Sequence, residues 1–298
     1  MIQTQTSESY EGANLKSPFT EKFVAKKNWY EIELKKEARN MLIENNSYNS
    51  RINEIIQSSF SFKTNLGYEE NMILIKQNLE KSLNKESTEK MIFAFEKNIE
   101  EINDIKYGSS SFYKSHNQER EFASQEPWVY HFGRLLSQMG LKDGSQVVDV
   151  GINDGEEIGG FPFKTIGVDL SKKAIAKAKQ KFPELELMVG NANELTFKSS
   201  SFDAYISLRT LCVTGVYESK AIDEAHRILK KGGLMVVSFP KVMYDKGDIL
   251  KISQYNLLEC GSTELVEKGK NFHDLLSGCF KDVTCYKNGV EDFVCGRK

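Results

Sequence analysis

The sequence predicts an α/β protein in which a helical N-terminal domain precedes a mostly parallel, seven-stranded sheet that ends in an antiparallel hairpin. Three observations predict it. From residue 146 onward, short apolar runs alternate with helical stretches, the rhythm of a parallel sheet covered by helices on both faces. Near the C-terminus two strand-like runs flank Asn288-Gly289, the strongest short hairpin signal. Before residue 107, apolar residues recur at steps of three and four, with Lys and Glu on the other faces.

Residues 1–17 carry neither a basic start nor an apolar core, so they read as a disordered tail and not as a secretory signal. Residues 18–106 read as the helical domain, a cap over a pocket or a dimerisation element that would pair two copies of the chain. A first helix is expected between Thr20 and Ile43, broken by the Asn/Ser-rich run at 45–50. Tyr68, Met72, Ile75, Leu79 and Leu83 mark a second, and Ile92, Phe95, Ile99 and Ile102 a third, capped by Ser87 or Thr88. Residues 107–126 are Gly/Ser-rich and then charged, and read as a linker. Residues 127–298 form the core.

In the core, a helix is expected from Pro127 to Met139, stopped at Gly140. Strands follow at 146–150, 164–169, 185–189, 202–207 and 233–239. Helices are expected at 172–181, 218–230 and 264–278, and the closing strands at 281–287 and 290–296.

Composition bounds the function. The chain has 298 residues, 40% of them hydrophobic, and no apolar run near the roughly 20 residues that span a bilayer. Net charge is −2, and neither the first 125 residues nor the remainder has a basic excess, so no nucleic-acid partner is expected. The five cysteines (212, 260, 279, 285 and 295) show no C-x-x-C spacing and read as reduced thiols of a cytoplasmic protein. The four histidines form no ligand pair, and no metal is expected.

The chemistry is written between residues 146 and 171. The apolar run Val147-Val148-Asp149-Val150 ends in the turn Gly151-Ile152-Asn153-Asp154-Gly155, and the run Ile166-Gly167-Val168 ends in Asp169. A glycine turn after one parallel strand and an acid after the next is how open α/β sheets hold nucleosides: the turn lets backbone approach and the acid accepts from a ribose diol. A dinucleotide site would want G-x-G-x-x-G running into a helix; here the turn is G-x-x-x-G.

From about Trp128 to the C-terminus the chain resembles the class I S-adenosylmethionine-dependent methyltransferases, which have a Rossmann-like core. Asp149, Gly151 and Gly155 match the first motif, with Asn153 at the middle glycine. Asp169 closes the second strand. Gly190-Asn191-Ala192-Asn193-Glu194-Leu195 resembles the G-D-A-x-x-L segment, Ser201–Ser207 the fourth strand, and Ala225–Leu234 the helix, Gly-Gly turn and fifth strand. The resemblance implies S-adenosylmethionine as cofactor. Asp169 and Leu170 would hold its ribose, Gly151, Asn153 and Gly155 its backbone cradle, and Asp149 the loop or the amino group. Ala192 would meet the adenine, and Ser207 and Leu208 would line the methionine portion. Asn191 would bond the adenine amine, or serve only as an Asx-turn residue.

The chain departs from the family between Gly155 and Lys164, where two glycines and a proline leave room for a loop or a single turn in place of a helix. Glu156 and Glu157 in that loop add negative charge and are candidates to hold the amino group. Methyl transfer needs alignment and a dry site more than a base. Candidates for catalysis are Arg209, which suggests an anionic acceptor or else makes a surface ion pair, His131, and Tyr113, with His116 and Trp128 as further residues that could face the pocket. The expected acceptor is a small molecule methylated on O or N. The alternatives are a peptide, protein or tRNA acceptor, and a degenerate fold serving as a partner subunit.

Overall fold

A computed structural model describes residues 59, 68–107, 128–211, 215–240, 272–287 and 291–298, without the side chains of 98–107, 128–131, 240, 287, 291 and 292. The expected tail, the first helix, the linker, most of the 264–278 helix and the Asn288-Gly289 turn lie outside the described residues.

Two helices, α1 (Tyr68–Glu80) and α2 (Lys85–Tyr107), pack against each other as a pair. In α1 Tyr68, Met72, Ile75 and Leu79 of the expected stripe are buried, whereas Leu83 lies past the helix end and is half-buried. In α2 the burial falls on Thr88, Met91 and Phe95, with Ile92 half-buried. The α2 cap is Asn84 and not Ser87 or Thr88: its side-chain oxygen accepts from the Ser87 amide at 2.8 Å. That starts the helix a turn earlier and puts Glu86 in its first turn, where an acid meets the positive helix end.

The core begins with α3 (Trp128–Gln138) and continues with β1 (Gln146–Val150), β2 (Lys164–Asp169), α4 (Lys172–Lys181), β3 (Glu186–Val189) and β4 (Phe202–Leu208). It ends with α5 (Glu218–Ile228), β5 (Leu229–Pro240), β6 (Lys281–Lys287) and β7 (Glu291–Arg297). The seven strands make one sheet in the order β3-β2-β1-β4-β5-β7-β6. β3 through β5 pair in parallel, and β7 joins β5 and β6 in antiparallel register. The expected fold class is the observed one. α5 ends at Ile228 because Leu229 is already extended (φ −70°, ψ 141°), so β5 starts ahead of the Gly232-Gly233 turn. Lys287 pairs with Asp292, a wider connection than a two-residue turn.

Side chains of each central strand alternate between two apolar layers. Val148, Val150, Tyr205, Met235 and Val237 face the layer of α5, with Ala221, Ile222, Ala225 and Ile228. Val147, Ala204, Ile206 and Val236 face the layer of Phe132 and Leu136 from α3 and Ile175 from α4. The segment after Gly155 is a single turn, closed by the Gly159 amide on the Gly155 carbonyl at 2.8 Å. It fills the helix's place with apolar side chains: Ile158 is fully buried, and Phe161 packs 6.1 Å from Phe132 and 5.8 Å from Phe163. Among the described residues no helix is long and apolar enough to cross a membrane, and no group of three potential metal ligands occurs.

Candidate functional site

The carboxyl ends of β1, β2, β3 and β4 open onto a cavity of about 600 Å³. It lies where strand order reverses, between β1 and β4, the crevice in which open α/β sheets bind ligands. Its size is within the usual range for small-ligand sites.

Asp169, the last residue of β2, fixes the first turn and is fixed by it. One carboxylate oxygen accepts from the Asn153 amide at 2.9 Å, the other from the Ser171 amide at 2.8 Å. Asn153 holds φ at +54°, the left-handed region that Asn tolerates. The residue lines the cavity, and its buried side-chain oxygen has no partner among the described residues, an uncompensated cost unless a ligand donates to it. Gly151 sits at φ +86°, and a Cβ there would overlap the Thr210 side chain, so only glycine keeps the wall thin. Leu170, Asn191, Ala192 and Leu208 also line the cavity. The Asn191 side-chain oxygen accepts from the Asn193 amide at 2.9 Å, an Asx turn.

Two expected residues do not reach the cavity. Ser207 is fully buried, and its hydroxyl donates to the Val150 carbonyl at 2.8 Å, tying β4 to β1. Gly155 (φ +80°) faces α4, where a Cβ would lie 2.9 Å from the Phe182 ring; it packs the turn on the helix. Both face away because neighbouring positions on a strand or tight turn point to opposite sides. His131 lies on α3, but its side chain is outside the described residues, as are Trp128's side chain and all of Tyr113 and His116.

The floor is acidic. Asp149 is 2% exposed and lines the cavity. Burial pushes its carboxyl well above the ordinary range, and the charges of Glu157 and Asp169 push it further. Glu157, supplied by the shortened segment, pairs with Arg209 at 2.8 Å, both largely buried. Arg209 thus lines the cavity with its charge matched by Glu157, and its pair is not a surface one. It sits at φ +56°, a conformation that non-glycine residues adopt mainly where a site demands it. Glu156 instead joins Asp154 in binding Lys181, away from the cavity.

Residues that sequence reasoning missed close the other side. Tyr68, Phe93, Glu96 and Lys97 enter from the helical pair, and Thr210, Tyr217 and Lys220 from the β4–α5 segment. The Tyr217 hydroxyl donates to Glu96, its ring meets Tyr68 edge-on at 5.1 Å, and Lys220 lies 4.4 Å over it. Burial first, and then Glu96, hold the Tyr217 phenol above its ordinary range, so it stays a donor. No local pattern ties residue 96 to residue 217.

Residues 148–237 match the family model described as "Methyltransferase domain". Demethylmenaquinone methyltransferase of Oceanobacillus iheyensis is 30% identical over 137 residues, 42% of this chain and 56% of that protein. A probable S-adenosylmethionine-dependent methyltransferase of Mycolicibacterium smegmatis is 22% identical over 129 residues, 42% of this chain and 49% of that one. The chain spans about half the length of the curated relatives it matches. A solved S-adenosylmethionine-dependent methyltransferase from Aquifex aeolicus aligns with 61% of this chain and 97% of its own, at TM-score 0.45 and 16% identity.

Proposed function

Because the core of this chain belongs to the class I S-adenosylmethionine-dependent methyltransferases, whose cofactor is S-adenosylmethionine, we propose that the chain transfers a methyl group from that cofactor to O or N of a small-molecule acceptor. The observation that carries the reading is the fit of the cavity to the cofactor: a carboxylate at the end of β2, a glycine whose Cβ would close the wall, and an orphaned Asn153 oxygen. Asp169 would accept from the ribose diol. Leu170 and Ala192 would flank the adenine, near Asn191. Asn153 and the carboxylates Asp149 and Glu157 would face the ammonium and sulfonium, and Gly151 and Leu208 would let the methionine portion pass.

When bound, the cofactor supplies an electrophilic methyl group on a sulfonium. The chain's own residues then have to align an acceptor and keep water out. The Arg209–Glu157 pair holds a fixed dipole at the β4 end. The helical pair narrows the entrance. In this reading residues 18–106 act as the cap and residues 127–298 as the core. The relative named for demethylmenaquinone supports a small acceptor over a macromolecule.

Calorimetric titration of the chain with S-adenosylmethionine and S-adenosylhomocysteine tests the reading. Micromolar binding of both is expected. Asp169→Ala should weaken it roughly tenfold to a hundredfold, the value of a charge-assisted hydrogen bond. Failure of the wild type to bind either ligand would overturn the reading in favour of a partner subunit.

A further inference from the structure

The helical pair is joined to the cavity by specific polar contacts as well as apolar ones. On α2, Glu96 accepts from the Tyr217 hydroxyl. On α1, Glu69 accepts from the Ser219 hydroxyl at 2.6 Å and from its amide at 3.1 Å. Tyr217 is itself held by the loop after β3: its amide donates to Asn193 at 2.7 Å, and the Asn193 amide group donates to the Gly215 carbonyl at 2.8 Å. α2 also packs against α4. The pair therefore spans from α4 to α5 across the ends of β2 and β3, on the side where Asp169, Asn191 and Ala192 line the cavity. Only four residues, 81–84, separate α1 from α2, and the two helices pack on each other.

We infer that Glu96 and Tyr217 are positioning residues whose hydrogen bond fastens the helical pair over the nucleoside end of the cavity, so that the cofactor enters and leaves only when that bond opens. The inference rests on the cofactor reading above. Glu69 and Ser219 form a second fastening. The Tyr217 ring also meets Tyr68 of α1, a contact that Tyr217→Phe keeps, so that variant removes the hydroxyl's contribution alone.

A fastening that holds the free and loaded protein equally has a kinetic signature: breaking it speeds association and dissociation together and leaves the equilibrium nearly unchanged. The test is stopped-flow binding of S-adenosylhomocysteine to wild type, Tyr217→Phe and Glu96→Gln, with Glu69→Gln/Tyr217→Phe as the combined variant and melting temperature as the check on folding. In Tyr217→Phe, both rate constants should rise by about tenfold or more, and Kd should change by less than about threefold. The combined variant should rise further. Weaker Kd with unchanged association would overturn the inference, because Tyr217 would then be a ligand contact. Unchanged rates in all variants would overturn it too. If wild type binds no S-adenosylhomocysteine, the cofactor reading fails first and takes this inference with it.

Discussion

Asp149, expected at the site, lines the cavity, and its electrostatics hold a surprise. Its place at the end of an apolar strand marks it as a site acid, but its electrostatics depend on Glu157 and Asp169, which are brought beside it by the fold. In the ligand-free protein the folded state holds the Asp149 proton more tightly than the unfolded chain does. Stability from that proton is complete below about pH 4, the unfolded value, and is lost as pH rises toward the folded one. Asp149→Asn should therefore melt higher than wild type at about pH 7 to 8, with the gap closing near pH 4; a gap that ignores pH would show that folding does not raise the Asp149 pKa. Asn153 was legible as a residue tolerant of positive φ, and it has φ +54°. That its side-chain oxygen is left without a partner among the described residues was not legible, because it depends on what tertiary structure packs around it. Arg209 shows the reverse: its charge is visible in the sequence, but its meaning turned on Glu157, 52 residues away.

Elements were read best where their own periodicity decides them. Seven strands and the helices between them follow from runs that must bury one or both faces. The loss of the helix after Gly155 was legible for the same reason, since glycine and proline cannot sustain one. What periodicity could not give is where a helix end finds its partner. The N-cap of α5 is Tyr217, whose side chain makes no capping hydrogen bond. Glu69 of α1 supplies the acceptor for the Ser219 amide, doing for α5 what Asn84 does locally for α2. Glu69→Ala should lower stability by about 0.5–2 kcal/mol, the usual value of a cap, seen as a lower melting temperature in ligand-free protein. A melting temperature equal to wild type would mean that Glu69 does not stabilise α5.

For the whole molecule, a ligand that binds only the folded state stabilises it by mass action. S-adenosylhomocysteine at a hundredfold its Kd should add about 2.7 kcal/mol and raise the melting temperature by several degrees; no shift at that concentration would show that the folded state does not bind it selectively. The sequence by itself determined the sheet, the succession of its strands and helices along the chain, and one side of the cavity lining, Asp149, Gly151, Asn153, Asp169, Leu170, Asn191, Ala192 and Leu208. These residues sit at strand ends and in adjoining turns, so local pattern places them at one edge of the sheet. Tertiary structure alone decided the rest: that Ser207 and Gly155 point away, that Glu157 neutralises Arg209, and that α1 and α2 close the cavity through Glu96, Tyr217 and Glu69. Apart from Gly155, those facts depend on which side chains meet across more than 50 residues of chain, and no periodicity records such a meeting.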